Sequence, residues 1–164
     1  MFGTLNEMRI LLFYVLLFLA QGLLSPLFAP LPAPDLFLIA VLTLVNRVPP
    51  WQFVTLAFGV GLVQDLVGFG VLGAHAFGLA TAAMAATLLR AQLSSTGFFE
   101  RLSLIIVASI GKWLALTGVL VWIADLPVSV PELLALIAVE GAFNIVFGAL
   151  LIPWGTELLK RSRR

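Results

Sequence analysis

Long apolar runs, separated by short polar or proline-rich breaks, restrict the fold of this chain more than any other feature of its sequence. Of its 164 residues, 62% are hydrophobic and only 10% are charged, whereas an ordinary globular domain has about 25% charged residues. A soluble protein of this size keeps too much of its surface in water to hide so much apolar area. We therefore expect an all-α integral membrane protein, folded as a compact helix bundle.

Six segments have the character of membrane spans, because a transmembrane helix needs about 20 mostly apolar residues. The second segment is short, since prolines precede and follow it and proline lacks the amide donor of a regular helix. The first segment is interpreted as a helix and not as a cleaved signal peptide, because further apolar runs follow it. We expect a single transmembrane domain over residues 1–164, with spans at about 10–28, 35–46, 51–67, 74–89, 102–123 and 132–154, and a basic cytoplasmic tail at 155–164.

The basic residues predict the orientation, because cytoplasmic flanks of membrane helices are enriched in Lys and Arg. With six spans, four arginines outside the tail fall on the same side as the tail: Arg9, Arg47, Arg90 and Arg101. The loops of the opposite side contain no Lys or Arg but hold four acidic residues: Asp35, Asp65, Asp125 and Glu132. Five spans would mix these two groups, so we expect six spans with both ends in the cytoplasm.

Signatures of enzymes and of metal sites are weak in this sequence. There is no cysteine, and His75 is the single histidine, whereas a zinc site takes three or four protein ligands. The glycine-rich segment at 59–73 lacks the GxxxxGK[ST] order of a phosphate-binding loop. A net charge of +1 does not suggest a nucleic-acid partner. We expect no catalytic residue, no cofactor and no metal.

Three polar residues are predicted to meet inside the membrane. Lys112 lies ten residues into the fifth span, roughly 15 Å deep. Glu140 lies eight residues into the antiparallel sixth span, with Asn144 one turn deeper on the same side. A charge at bilayer depth costs several kcal/mol and is usually paired, so we expect a buried Lys112–Glu140 ion pair supported by Asn144. Its role is either to fix helix register or to take part in function.

Asp65 has two interpretations that the sequence leaves open. It ends an apolar span beside Gln64, where a carboxylate at the outer interface is reached by water. The glycines that follow it suggest instead a polar turn that a partner or another helix contacts. Small residues elsewhere allow close approach of helices in lipid, and they define candidate packing or partner faces: Gly59, Gly61 and Gly68 in the third helix, and Gly111 and Ala115 in the fifth.

The segment from residue 34 to residue 73 resembles the MreD family, the small membrane subunits of the bacterial rod-shape system. The residues that carry the resemblance are Pro34, Asp35, Phe58, Gly61, Asp65, Leu66, Leu72 and Gly73. The basic turn at Arg47, the chain length and the six-span layout also fit this family. Lys112, Glu140 and Asn144 match no family pattern, so their role is inferred from physics alone.

The resemblance implies a non-enzymatic scaffold for cell elongation in the bacterial inner membrane. MreD-like proteins work with MreC, with the MreB filament, and with the peptidoglycan synthases RodA and penicillin-binding protein 2. Cytoplasmic arginines are expected to face MreB or anionic membrane lipid.

The resemblance also supplies an alternative, because the MreD fold is similar to that of the S-components of energy-coupling-factor transporters. The alternative is a small-molecule-binding transporter subunit with an outward pocket, whose polar groups would be Asp35, Gln64, Asp65 and His75. A third possibility, an ion or proton channel built on Lys112 and Glu140, is weaker, because one pair does not make a path across a membrane.

Overall fold

A computed structural model describes residues 2–68, 71–93, 97–122 and 129–161, and all regular structure in this part of the chain is α-helical. This confirms the all-α class that the apolar runs predict. The helices are, in chain order, α1 (Phe2–Phe28), α2 (Leu36–Leu42), α3 (Pro50–Val67), α4 (Ala74–Gln92), α5 (Phe98–Trp122) and α6 (Val130–Arg161).

Three helices are long and apolar enough to cross a bilayer, judged by length and composition. Their candidate spans are Leu11–Phe28 in α1, Phe98–Trp122 in α5 and Val130–Leu158 in α6. Helices α3 and α4 have 18 and 19 residues, but polar residues such as Asp65 and Arg90 make them less apolar. The chain is therefore a membrane protein, with at least three helices suited to a bilayer.

The helices extend beyond the apolar runs at several ends. Helix α1 begins at Phe2 and α6 continues through Pro153 to Arg161, because the backbone hydrogen bonds of a helix do not require apolar side chains. Helix α2 differs in the other direction, since it has only seven residues and ends at Leu42. The predicted second span to residue 46 is therefore too long as a helix, and turns follow from residue 43 to residue 47.

Local chemistry explains where two of the helices begin. The Asp35 carboxylate caps α2 by accepting the Leu38 N–H at 3.0 Å, which satisfies one of the free amides of the first turn. Gly73 precedes α4 with φ +92°, a left-handed conformation that glycine adopts without steric cost.

The shortest helix lies at the centre of the bundle. Helix α2 contacts each of the other five helices, and all but one of its residues are buried. Helices α3, α4 and α5 pack side by side, and α6 packs against α5, α2 and α1. The core is therefore formed around α2 by the helices that enclose it.

One end of the bundle holds three arginines, and we call it the arginine end: Arg47 of the α2–α3 link, Arg90 in the last turn of α4 and Arg101 in the first turns of α5. Arg47 donates to the carbonyl of Thr156 at 3.0 Å, so the α2–α3 link lies beside the last turns of α6. Arg90 pairs with Glu100 at 3.1 Å and also contacts Asn46. The first half of α1 lies at the same end, because the rings of Phe13 and Trp154 meet edge to face at 5.8 Å.

Some predicted features lie outside the described residues. These are Asp125 in the α5–α6 link, Phe69 and Gly70 in the glycine-rich segment, residues 94–96 of the predicted fourth loop, Arg163 and Arg164 of the tail, and the side chains of Arg9, Lys160 and Arg161.

Candidate functional site

A cluster of charged and polar side chains lies buried where α2, α5 and α6 meet, and we call it the charged cluster. Its members are Asp35, Ser109, Lys112, Glu140 and Asn144, each no more than 5% exposed. The Lys112 ammonium donates to Asp35 Oδ2 at 2.9 Å and to Glu140 Oε1. The structure thus brings together the three residues that the depth estimate placed at one level, and it adds a second carboxylate.

Asn144 connects the cluster to the start of α2. Its Oδ1 accepts the Asp35 backbone N–H at 2.7 Å, while its Nδ2 donates to Ser109 Oγ at 3.3 Å and to Glu140 Oε1 at 3.4 Å. Since Asn144 is fully buried, leaving these groups without partners would cost a full desolvation penalty. Asn144 therefore links α2, α5 and α6 through hydrogen bonds.

Asp35 is the charged member of the cluster that sequence reasoning missed, and Ser109 is a second, uncharged member that it did not name. The sequence places Asp35 at the outer interface, whereas the structure buries it against Lys112. The reason is that residues 31–35 are not helical, so this segment reaches the bundle centre before α2 begins. The backbone N–H of Leu36 is likewise satisfied from another helix, by Gln21 Oε1 at 2.7 Å. The spacing of the prolines shows that this segment is not helical, but it does not show how deep in the membrane the segment lies.

The charge balance of the cluster gives Lys112 a structural role. One ammonium faces two carboxylates, and a buried charge that loses its partner is strongly destabilising. Gly78 on α4 leaves room for the lysine stem, because an added Cβ there would lie 3.2 Å from Lys112 Cγ. Lys112 therefore joins α2, α5 and α6 through charge and α4 through packing.

A buried carboxylate outside the charged cluster, Asp65, holds the start of α4. Its Oδ2 accepts the backbone N–H groups of Gly73 at 2.9 Å and of Ala76 at 3.1 Å. Its Oδ1 lies 3.0 Å from the His75 backbone nitrogen, which donates to it, and 2.8 Å from His75 Nδ1. Of the two interpretations of Asp65, the structure therefore shows contact with another helix, and that helix belongs to the same chain.

Gly61 explains the spacing of the motif. It lies one turn before Asp65 on α3, and a Cβ added there would lie 2.6 Å from both the Ala76 nitrogen and the His75 carbonyl oxygen. The Gly61-x-x-x-Asp65 spacing thus gives α3 one face on which the α4 backbone can approach and be capped. Two residues of the motif act as a single joint between these helices.

The other motif residues divide into buried and exposed groups. Pro34 is buried beside the charged cluster, and Gly73 provides the left-handed turn. Three lie on the surface: Phe58, Leu66 and Leu72. The exposed three face whatever surrounds the bundle, whether lipid or another protein.

The candidate packing residues also separate into two groups. Gly61 and Gly111 lie inside the bundle, and an added Cβ at Gly111 would lie 3.2 Å from Ala85 on α4. Gly59 has no atom within 4 Å of such a Cβ, and Gly68 has only the Gln64 carbonyl at 3.2 Å. Ala115 is partly buried on α5. Gly61 and Gly111 are therefore used within this chain.

The described residues contain no group of three or more histidine or acidic side chains arranged to hold a metal ion. Asp35 and Asp65, two of the four polar residues expected to line a transporter-like pocket, instead hold the bundle together through Lys112 and the α4 amides.

Comparison with known protein families gives a match over nearly the whole chain. The family described as rod shape-determining protein MreD matches residues 4–161. No curated protein and no solved structure matches the chain, so the similarity to S-components stays a prediction.

Proposed function

The chain belongs to the MreD family of rod shape-determining membrane proteins, and on this premise we propose that it is a non-enzymatic scaffold of the cell-elongation machinery in the bacterial inner membrane. In this role it binds MreC and, together with MreB, helps to regulate peptidoglycan synthesis by RodA and penicillin-binding protein 2. The observation that carries the proposal is the family match over residues 4–161.

The proposed topology has six crossings with both ends in the cytoplasm. It is supported by the arginine end, where the α2–α3 link, the α4–α5 link, the first half of α1 and the last turns of α6 lie together. Seven helical residues span only about 10 Å, so α2 crosses together with the non-helical segment that precedes it. The α3–α4 turn, with Asp65, then faces the periplasm.

The use of the buried carboxylates favours a scaffold over a carrier. A carrier needs several polar groups that converge in a pocket and are available to a ligand. Asp35 and Asp65 instead accept hydrogen bonds from Lys112 and from the α4 backbone. This arrangement stabilises a rigid bundle whose outer surface is left for recognition.

We place the contact with the MreC transmembrane helix on the exposed face of α3. Phe58, Gly59 and Leu66 are exposed there, and Gly59 has open space beside it. A small residue between large apolar ones lets another helix approach closely in lipid. Gly61 is excluded from this surface because it packs against α4.

Co-purification with MreC tests the proposal. The tagged chain and full-length MreC from the same genome are co-expressed, extracted in detergent and separated by size-exclusion chromatography. We expect the two proteins to co-elute as a defined complex. Gly59→Leu is expected to reduce MreC recovery several-fold, while Gly118→Leu, at an equally open glycine on α5, leaves it unchanged.

Separate elution of the two wild-type proteins would contradict the scaffold proposal. Equal recovery of MreC with both glycine variants would leave the complex in place but move the contact away from α3.

A further inference from the structure

An apolar groove runs along α2 between α1 and α3. Among the described residues, α1 and α3 each pack against α2 but do not pack against each other. The gap between them has a volume of about 280 Å³, and its walls are almost wholly apolar, including Leu17, Phe18, Val41, Phe53 and Val60. The bundle therefore leaves a narrow apolar gap over α2, although six of the seven residues of α2 are buried.

A second cavity of about 390 Å³ lies next to this groove, toward the α3–α4 turn. The two cavities adjoin at Phe18 and Phe37, which line both and whose rings pack edge to face at 5.4 Å. The polar wall residues of the second cavity are Gln21, Ser25, Gln64 and His75. The combined groove is thus apolar along its length and polar at one end.

The polar end has unused hydrogen-bonding capacity. The Gln64 side-chain oxygen is enclosed and has no hydrogen-bond partner. His75 is about one-third exposed, and its Nδ1 lies 2.8 Å from Asp65 Oδ1. Because that carboxylate already accepts backbone N–H groups, Nδ1 is the donor in this contact. The wall of the second cavity therefore contains one oxygen acceptor, on Gln64, that no protein group satisfies.

The lining of the groove favours a flexible chain over a helix. Close helix packing in lipid needs small residues, whereas this groove is lined mainly by Leu, Phe and Val. An acyl chain can follow such a narrow apolar path.

We infer that the groove binds a membrane phospholipid whose headgroup carries N–H or O–H donors, with an acyl chain along α2 and the headgroup at Gln64 and His75. Phosphatidylethanolamine has this chemistry. In contrast, the trimethylated headgroup of phosphatidylcholine has the same net charge but no N–H donor. The inference rests on the groove itself and is independent of any protein partner.

Native mass spectrometry of the full-length protein in detergent tests this site. Phosphatidylethanolamine and phosphatidylcholine with identical acyl chains are each titrated into delipidated protein, and the bound fraction is measured. One or two hydrogen bonds to the headgroup predict binding of phosphatidylethanolamine about 3- to 10-fold tighter. The comparison isolates the donor groups, because chain length and net charge are the same.

Two variants with matched controls locate the site. Gln64→Leu is expected to remove the preference for phosphatidylethanolamine, while Gln52→Leu, on the same helix but outside both cavities, keeps it. Val60→Trp fills the apolar groove and is expected to weaken the binding of both lipids several-fold. Leu114→Trp, at an exposed position of α5, is expected to leave both affinities unchanged. Size-exclusion profiles confirm that each variant is folded.

Equal binding of the two lipids, or an unchanged preference in Gln64→Leu, would overturn the inference. Saturable binding of the MreC transmembrane peptide without saturable lipid binding would overturn it as well, because the groove would then be a helix site.

Discussion

Lys112 neutralises carboxylates that are far apart in the chain, since Asp35 begins α2 and Glu140 lies in α6. A single ammonium thus fixes the position of three helices. The cost of burying it is offset only while both carboxylates and the Asn144 amide remain in place. At this scale, the charged cluster is best described as a structural joint.

Removal of Lys112 alone is expected to damage the protein more than removal of the whole charge set. Lys112→Met leaves two buried carboxylates without a cation and should lower the free energy of unfolding by about 3–5 kcal/mol. The triple variant Lys112→Met, Asp35→Asn, Glu140→Gln should regain much of that loss. Thermal unfolding in detergent measures the stability of both variants. A single variant as stable as the triple variant would contradict the structural role of the charged cluster.

The charged cluster shows how far the sequence predicts a site in a membrane protein. Lys112 and Glu140 could be related because both lie in regular helices, where depth follows from a fixed rise per residue. Asp35 could not, because it ends a proline-rich segment whose path has no such regularity. A depth estimate therefore works along helices and fails in the links between them.

At the scale of helices, the joint between α3 and α4 combines close approach with capping. Gly61 lets the α4 backbone come near, and Asp65 accepts the amides at the start of α4. Two glycines of α3, Gly59 and Gly61, look alike in the sequence. They differ only in the side of α3 on which they lie, since Gly61 faces α4 and Gly59 faces away from the bundle. An almost uniformly apolar helix gives no sequence pattern that distinguishes an inner face from a lipid-facing one.

These two glycines provide a matched test of helix packing. Gly61→Ala places a methyl group against the α4 backbone and should cost about 1–3 kcal/mol. Gly59→Ala meets open space and should be neutral or stabilise the helix by about 0.5–1 kcal/mol, because alanine has the higher helix propensity. The midpoints of thermal unfolding of the two variants are compared, and equal midpoints would argue against close packing of α3 and α4 at Gly61.

At the scale of the whole molecule, sequence reasoning found the six helices but not all of their lengths. Apolar runs locate a helix wherever the segment faces lipid, so α3 and α4 begin within one residue of their predicted starts. The predicted start of α1 is too late and the predicted end of α6 is too early, because the polar residues beyond each apolar run continue the helix. Hydropathy reports the solvent around a helix, whereas hydrogen bonds set its length.

The proposed topology predicts which loops are reached from each side of the membrane. The chain has no cysteine, so single cysteines are unique labelling sites. Gly97→Cys, at the arginine end, should react with an impermeant maleimide only after the membrane is opened. Leu72→Cys, before α4, should react in intact spheroplasts, and Ala108→Cys, fully buried in α5, in neither. Labelling of positions 72 and 97 from the same side would rule out the topology.

The central position of α2 has a consequence for biogenesis. Its seven residues are too few for a translocon to recognise as a membrane segment. Gln21, which holds the Leu36 N–H, is made before α2, but Lys112 follows Asp35 by 77 residues and Asn144 follows it by 109. The ribosome therefore delivers α2 before its binding site is complete, and this segment should reach its final depth only after α5 and α6 have been inserted.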